Sequence, residues 1–207
     1  MIGAIFVDIK GYPHAAYIPG GRNAGKVRYV HGGVSRNVAE DLGNLGLAPQ
    51  FISLTDYSGS GEDVLSRLRE HGVDTSLVRR EPDGMGAWLA VFDNNNDVCA
   101  SISHRPDLMP ILTILQEEGN RIFSGADSVL IELDLEQPLV EEIYRLKENT
   151  APVSTLPYPI SILPWTAGNI CSRPIVSSAT GRKPAFFSPG TSKAKILNIL
   201  LTFSLNA

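Results

Sequence analysis

Short apolar runs alternate with segments of helical period along the first 149 residues, and that alternation leaves few architectures open. Residues 2–7 (IGAIFV) are an apolar run of strand length. Residues 35–45 place Val38, Leu42 and Leu45 on one helical face behind Ser35, a helix-capping residue type. Residues 51–54 read as a second strand, and residues 62–71 as a second helix carrying Val64, Leu65 and Leu68 and stopping at Gly72. Two strands, 86–92 and 98–103, flank Asn94, Asn95 and Asn96, a hairpin signal, and 26–30 is a further strand that joins them. A helix over 111–118, a strand over 128–133 and a helix over 138–147 with Pro138 at its start complete the series. The pattern predicts an α/β class with a largely parallel sheet, and the hairpin an additional β layer.

A chain of 207 residues with 43% hydrophobic and 19% charged residues is long enough for one sizeable core. Its net charge of −4 and lack of a basic run argue against nucleic acid and for a small-molecule ligand. Cys99 and Cys171 form neither a disulfide framework nor a metal spacing. His14, His31, His71 and His104 show no metal spacing and no nucleophile beside them. The opening MIGAIFVDI has no basic region and is broken by Asp8, so no leader or membrane span is expected and the expected location is cytoplasmic.

Charge divides the chain in two. All 22 acidic residues precede Thr150, and residues 150–207 contain none while holding seven of the 14 prolines. Stretches such as STLPYPISILPW show neither a helical nor a strand period, and only 195–205 has the makings of a short apolar element. Two segments are therefore expected: a folded body over 1–149 and an atypical, poorly ordered tail over 150–207.

Within the body, the sequence HGGVSRNVAEDLGNLG at 31–46 sets two glycines before a helix. Adjacent glycines let a backbone approach a ligand closely and leave helix N–H groups open to hydroxyls or anions. They equally make a tight strand-to-helix turn with Asn37 in solvent, and residue types alone leave both readings open. Trp88 in the hairpin is either a substrate contact or part of an amphipathic strand face.

The order of several such features resembles the ribokinase-like (PfkB) family of sugar and nucleoside kinases. It rests on Asp8, the GGVSRNVA of 32–39 followed by LGNLG of 42–46, TDYSGSGED of 55–63, HGVD of 71–74 and ADSVLIELD of 126–134. The likeness covers about residues 1–149. It implies a three-layer α/β domain with helices on both faces of the sheet and a small β lid, and transfer of the γ-phosphoryl of ATP, with Mg²⁺, to a sugar or nucleoside hydroxyl. Asp8 would then hold substrate hydroxyls, Gly32 and Gly33 would lie beside the sugar at the lid hinge, and Asn37 would hydrogen-bond another hydroxyl. Glu132 and Asp134, at the end of a predicted strand, are further substrate candidates on the same basis, with a solvated strand end as the alternative. Lid strands in this family can pair between subunits, so a homodimer is expected.

The late Asp-Thr-x-Gly-Ala-Gly-Asp motif that supplies that family's anion hole and base has no counterpart after Thr150, nor does an acidic metal motif. The similar-looking DYSGSGED at 56–63 has one residue too many before its last Asp and no following Lys, and reads as an ordinary strand-to-helix loop. One expectation is thus a chain truncated in its C-terminal half by a shifted reading frame near 150–154, and inactive alone. The alternatives are a working kinase that is completed by a partner chain or uses an unfamiliar site, and a non-catalytic sugar-binding or interaction module.

Overall fold

A computed structural model describes residues 1–132 and 134–150 and, by its backbone, the strand at 160–163. The remaining expectations for the tail, including Cys171 and an element over 195–205, lie outside the described residues. Contacts group the chain into two units, Met1–Ile114 and Leu115–Ala207, with the boundary inside a helix. The first unit runs β1 (Phe6–Pro13), β2 (Gly25–Gly32), α1 (Val34–Asn44), β3 (Ser53–Thr55), α2 (Gly59–Glu70), β4 (Val78–Arg80), β5 (Gly86–Phe92), β6 (Val98–His104) and the start of α3 (Ile111–Gly125). The second holds the rest of α3, then β7 (Val129–Glu132), α4 (Gln137–Thr150) and β8 (Ile160–Leu163).

The apolar N-terminal run lies beside the second strand region in parallel, with Ile52 N donating to Met1 O at 2.9 Å and Gly3 N to Ile52 O at 3.3 Å. β3 pairs in parallel with β4. Around them Ile5, Phe51, Leu54, Val64 and Leu68 are fully buried, each worth about 1.5–3 kcal/mol of apolar burial. In the second unit β7 pairs in parallel with β8, and Leu139, Ile143 and Leu146 of α4 are buried. The mixed α/β class with parallel pairing is as the alternation predicts. β8 departs from it, since ISIL at 160–163 takes up a ladder with β7 although its surroundings carry no strand period.

The additional β layer is a four-stranded sheet in the order β2-β1-β5-β6. β1 extends well past the predicted end at residue 7, because alternation continues through Asp8, Lys10 and Tyr12 and the strand is paired on both sides, antiparallel to β2 and parallel to β5. Residues 26–30 are indeed a strand, but their partner is β1 and not the hairpin. Across the sheet the register lines up Tyr29, Ile9, Leu89 and Ile102 in one row. Three of these are exposed: Tyr29 and Ile102 at 69% and Leu89 at 40%.

Helix boundaries also shift for local reasons. Ser35 does not cap α1; Gly33 does, and Ser35 is buried with its hydroxyl donating to Ile2 O at 3.4 Å. Leu45 is the C-cap and exposed, while the buried face is Ser35, Arg36, Ala39, Glu40 and Leu42. α2 starts three residues earlier than predicted, because Ser58 Oγ accepts from Gly61 N at 3.1 Å and closes its first turn. α3 runs to Gly125, seven residues beyond the predicted end, past Gly119, where a Cβ would collide with Leu146. β4 was not expected from its sequence, Val-Arg-Arg, which has no strand pattern of its own.

α1 and α2 approach each other where Gly43 faces the carbonyl oxygen of His71, with no room for a Cβ. Gly43→Ala is therefore expected to destabilise the α1–α2 contact by about 1–3 kcal/mol, read as reduced hydrogen-exchange protection of the α1 amides. Gly59→Ala, where nothing lies within 4 Å of the added methyl, is the control expected to leave protection unchanged or raised.

Candidate functional site

Alternation along β1 sends Asp8, Lys10 and Tyr12 to one face of the four-stranded sheet, with Val30 of β2 and Trp88 of β5 level with Asp8. Lys10 Nζ lies 3.2 Å from Asp8 Oδ2 and 5.7 Å from the centre of the Trp88 ring. Farther along the same face Tyr12 stacks on Phe92 at 4.8 Å. Asp8 is thus the third residue of β1, within the strand and not at its end.

The Asp8 carboxylate lies against Gly32, where an added Cβ would stand 2.5 Å from Oδ1. Gly33, with φ +95°, makes the turn into α1, and a Cβ there would stand 2.8 Å from Ala4 O. Gly33 is therefore required by close backbone approach and by its dihedral, whereas at Gly32 the space a Cβ would need is taken by the Asp8 carboxylate. The turn leads into α1, where Asn37 N donates to Gly33 O at 2.9 Å and the Asn37 side chain is exposed. Of the predicted residues, Asp8 and Gly32 are in direct contact, Gly33 adjoins them, and Asn37 follows one helical turn later.

Behind Asn37 lies a charged network that sequence reasoning missed. Arg36 donates through Nε (3.2 Å) and Nη2 (2.7 Å) to Asn37 Oδ1, and through Nη1 (2.5 Å) to Glu40 Oε2. Glu40 Oε1 accepts from Arg67 Nε at 2.8 Å, with Arg67 Nη2 at 2.6 Å and His71 Nε2 at 3.5 Å. Arg36 and Glu40 are nearly fully buried, whereas Arg67 is half exposed. Two charged residues four apart on the inner face of α1, directly behind the glycine pair, were the available signal. Burial works to raise the Glu40 carboxyl, but the Arg67 hydrogen bond and the charges of Arg36, Arg67 and His71 together hold it below the usual carboxylate range. Tyr29, Val30, His31, Arg36 and Arg67 line a cleft of about 360 Å³. Burial first, then the charges of Arg36 and Arg67, push the His31 imidazole below its ordinary range, against a smaller pull from Asp63 and Glu40.

In the second unit Glu132 closes β7 and is 3% exposed, so a solvated strand end does not describe it. Asp134 follows, half-buried. The glycine-rich 56–63 stretch is the first turn of α2 and its lead-in. Asp56 Oδ1 there accepts from Ser58 N at 3.0 Å and Ser58 Oγ at 2.6 Å, and Gly61 is packed against Asp56 and Thr55. These groups already satisfy each other, as expected of a strand-to-helix loop. Among the described residues no group of three or more His, Cys, Asp or Glu is placed to hold a metal ion, and no helix is long and apolar enough to cross a membrane.

Residues 1–160 match the family model described as pfkB family carbohydrate kinase. A guanosine-inosine kinase from Exiguobacterium acetylicum is 37% identical over 147 residues, covering 70% of this chain and 48% of that protein. A pseudouridine kinase from Escherichia coli is 27% identical over 104 residues, 50% of this chain and 33% of that one. The chain thus spans half or less of the length of these curated relatives. Among solved structures, a carbohydrate kinase from Agrobacterium tumefaciens superposes with a TM-score of 0.63 at 16% identity, covering 78% of this chain and 51% of that one. A ribokinase from Arabidopsis thaliana complexed with ribose and ATP gives 0.60 at 16% identity, over 73% and 50%. These two show the likeness of fold.

Both depressed values carry a pH dependence. A folded-state His31 below its ordinary 6.5 favours the neutral form, so its contribution is complete above pH 6.5 and is lost as pH falls below it. The Glu40 contribution is present above 4.5 and is lost as pH falls through its lower folded value. Glu40→Ala is expected to lower stability at pH 7 by about 3 kcal/mol, since it strands the buried Arg36. In urea denaturation the gap from the unsubstituted chain should close as pH falls below 4.5; a gap independent of pH would show that the ion pair is not its origin.

Proposed function

Because the chain belongs to the pfkB family of carbohydrate kinases, we propose that Asp8, Gly32, Gly33 and Asn37 hold the hydroxyl-bearing acceptor of a phosphotransfer reaction, a nucleoside in preference to a free sugar. The observation that carries this is the Asp8 carboxylate seated against Gly32 at the root of the four-stranded sheet, beside the turn that starts α1. A carboxylate accepts from neighbouring ribose hydroxyls, and the amide nitrogen of Asn37 donates to a hydroxyl oxygen; such pairings select a polyol when water is excluded. Lys10 balances the charge of Asp8 between ligands. The Trp88 ring, level with Asp8, offers an apolar surface to a base, and the 37% identity to a guanosine-inosine kinase supports the nucleoside reading. Glu132 and Asp134 enter the proposal only as acceptors near the carboxyl end of a strand.

The family's phosphoryl donor is ATP, and Mg²⁺ would be its counter-ion. At the glycine-rich turn of α2 the Gly61 N–H is engaged by Ser58 Oγ and the Glu62 N–H by Ser58 O, and among the described residues no acidic cluster is placed for a metal, so these residues do not form a site for either. No step is therefore routed through them. Lacking the Asp-Thr-x-Gly-Ala-Gly-Asp sequence and any Asp or Glu side chain after Glu148, these 207 residues are proposed to bind the acceptor without phosphorylating it by themselves. A binding role of this kind suits a cytoplasmic location and a small-molecule ligand in place of nucleic acid.

The deciding experiment is calorimetric titration with guanosine, inosine, pseudouridine and ribose, alongside an ATP-consumption assay on the same preparation. Binding of a nucleoside that weakens by about 10- to 100-fold in Asp8→Ala is expected, without turnover. Turnover abolished in Asp8→Ala would overturn the binding-only reading, and absence of binding from folded protein would overturn the acceptor site.

The exposed row of Tyr29, Leu89 and Ile102 supports a homodimer through the four-stranded sheet. Ile102→Lys combined with Leu89→Lys is expected to shift the chain from dimer to monomer in analytical ultracentrifugation; an unaltered mass would place the contact elsewhere.

A further inference from the structure

Neighbouring side chains on a helix point about 100° apart and do not ordinarily meet, yet the buried Arg36 reaches around α1 to the exposed Asn37. It does so with two donors on one oxygen, Nε at 3.2 Å and Nη2 at 2.7 Å. A guanidinium has no acceptor, so the group facing it must be the carboxamide oxygen and not its nitrogen. The Asn37 NH₂ is left without a hydrogen bond among the described residues and is turned away from Arg36.

We infer that Arg36 is a positioning residue that locks the Asn37 carboxamide in one orientation, so that this position presents only hydrogen-bond donors to the ligand. The inference rests on the acceptor-site reading for its consequence, though not for the lock itself. An unlocked Asn presents oxygen or nitrogen with little preference, and half of its orientations set an acceptor against a ligand acceptor. With the lock, Asn37 is donor-only where Asp8 is acceptor-only, and the two demand different atoms of a polyol.

The lock is itself anchored. Arg36 Nη1 is held by Glu40 Oε2 at 2.5 Å, and the second Glu40 oxygen is held from α2 by Arg67 at 2.6 and 2.8 Å. With three of its nitrogens engaged and its side chain 7% exposed, Arg36 has little freedom to release Asn37. Lysine at the same position keeps a charge for Glu40 but has no planar fork to span Asn37 and Glu40 together.

Two measurements test this on the full chain. The first is the ¹⁵N relaxation of the Asn37 side-chain NH₂, identified by its loss in Asn37→Ala. An order parameter near about 0.8, falling below about 0.6 in Arg36→Lys, is expected; a freely moving NH₂ in the unsubstituted chain overturns the lock with no variant and no ligand. The second is a double-mutant cycle for guanosine affinity with Arg36→Lys and Asn37→Ala. Arg36→Lys is expected to cost about tenfold with Asn37 present and nothing further with Asn37→Ala, whereas a merely structural role lowers affinity equally in both backgrounds and overturns the proposal. Failure of the unsubstituted chain to bind any nucleoside overturns the acceptor site alone, because the relaxation measurement still decides whether Arg36 holds Asn37.

Discussion

The end of β2 and the start of α1 lie so close to β1 that neither Gly32 nor Gly33 has room for a Cβ, and the rest of the site depends on that approach. One glycine admits the Asp8 carboxylate beside the backbone. The other, at φ +95°, turns the chain from the exposed sheet into a helix whose inner face is buried. With a side chain at position 32 the Asp8 carboxylate would have to move aside, and without the turn at Gly33 α1 would not start where it places Asn37 on its exposed side and Arg36 on its buried one.

A helix entering a core with Arg36 and Glu40 on its inner face needs those charges answered there, because an isolated buried charge costs several kcal/mol. The answer comes partly from within the helix, through the pair four residues apart, and partly from α2, through Arg67 and His71. Gly43 permits this by letting α1 come up against the end of α2. The same contact that packs two helices thereby also supplies the ionic anchor behind an exposed asparagine, which joins packing to the recognition proposed above.

Much of this arrangement was legible in the residues. Glycines at 32 and 33 before a helical period announced a tight turn, the three asparagines at 94–96 announced the hairpin, and the spacing of Val64, Leu65 and Leu68 announced α2. The misreadings have specific causes. Ser35 has the chemistry of a cap, but Gly33 already takes the cap position through its dihedral, so Ser35 is drawn inside. Residues 9–13 lack the apolar density of a core strand, and only pairing with β2 and β5 makes them one. Arg36 and Glu40 were passed over because charged residues on a helix are usually solvated, and their burial depends on α2, which follows them in the chain.

What the sequence determined by itself is what depends on neighbours in the chain: the alternation of strands and helices, the glycine turn, and the presence of Asp8 and Asn37 as the polar groups on either side of it. Periodicity and backbone freedom are local properties, so they survive without a fold. The tertiary structure alone decided that Asp8 sits within a strand against Gly32, that Lys10 and Trp88 share its face, and that Arg67 from a second helix anchors the arginine behind Asn37. Those relations join residues up to about eighty positions apart, and only packing, with its demand that close backbones exclude side chains and buried charges find partners, brings them together.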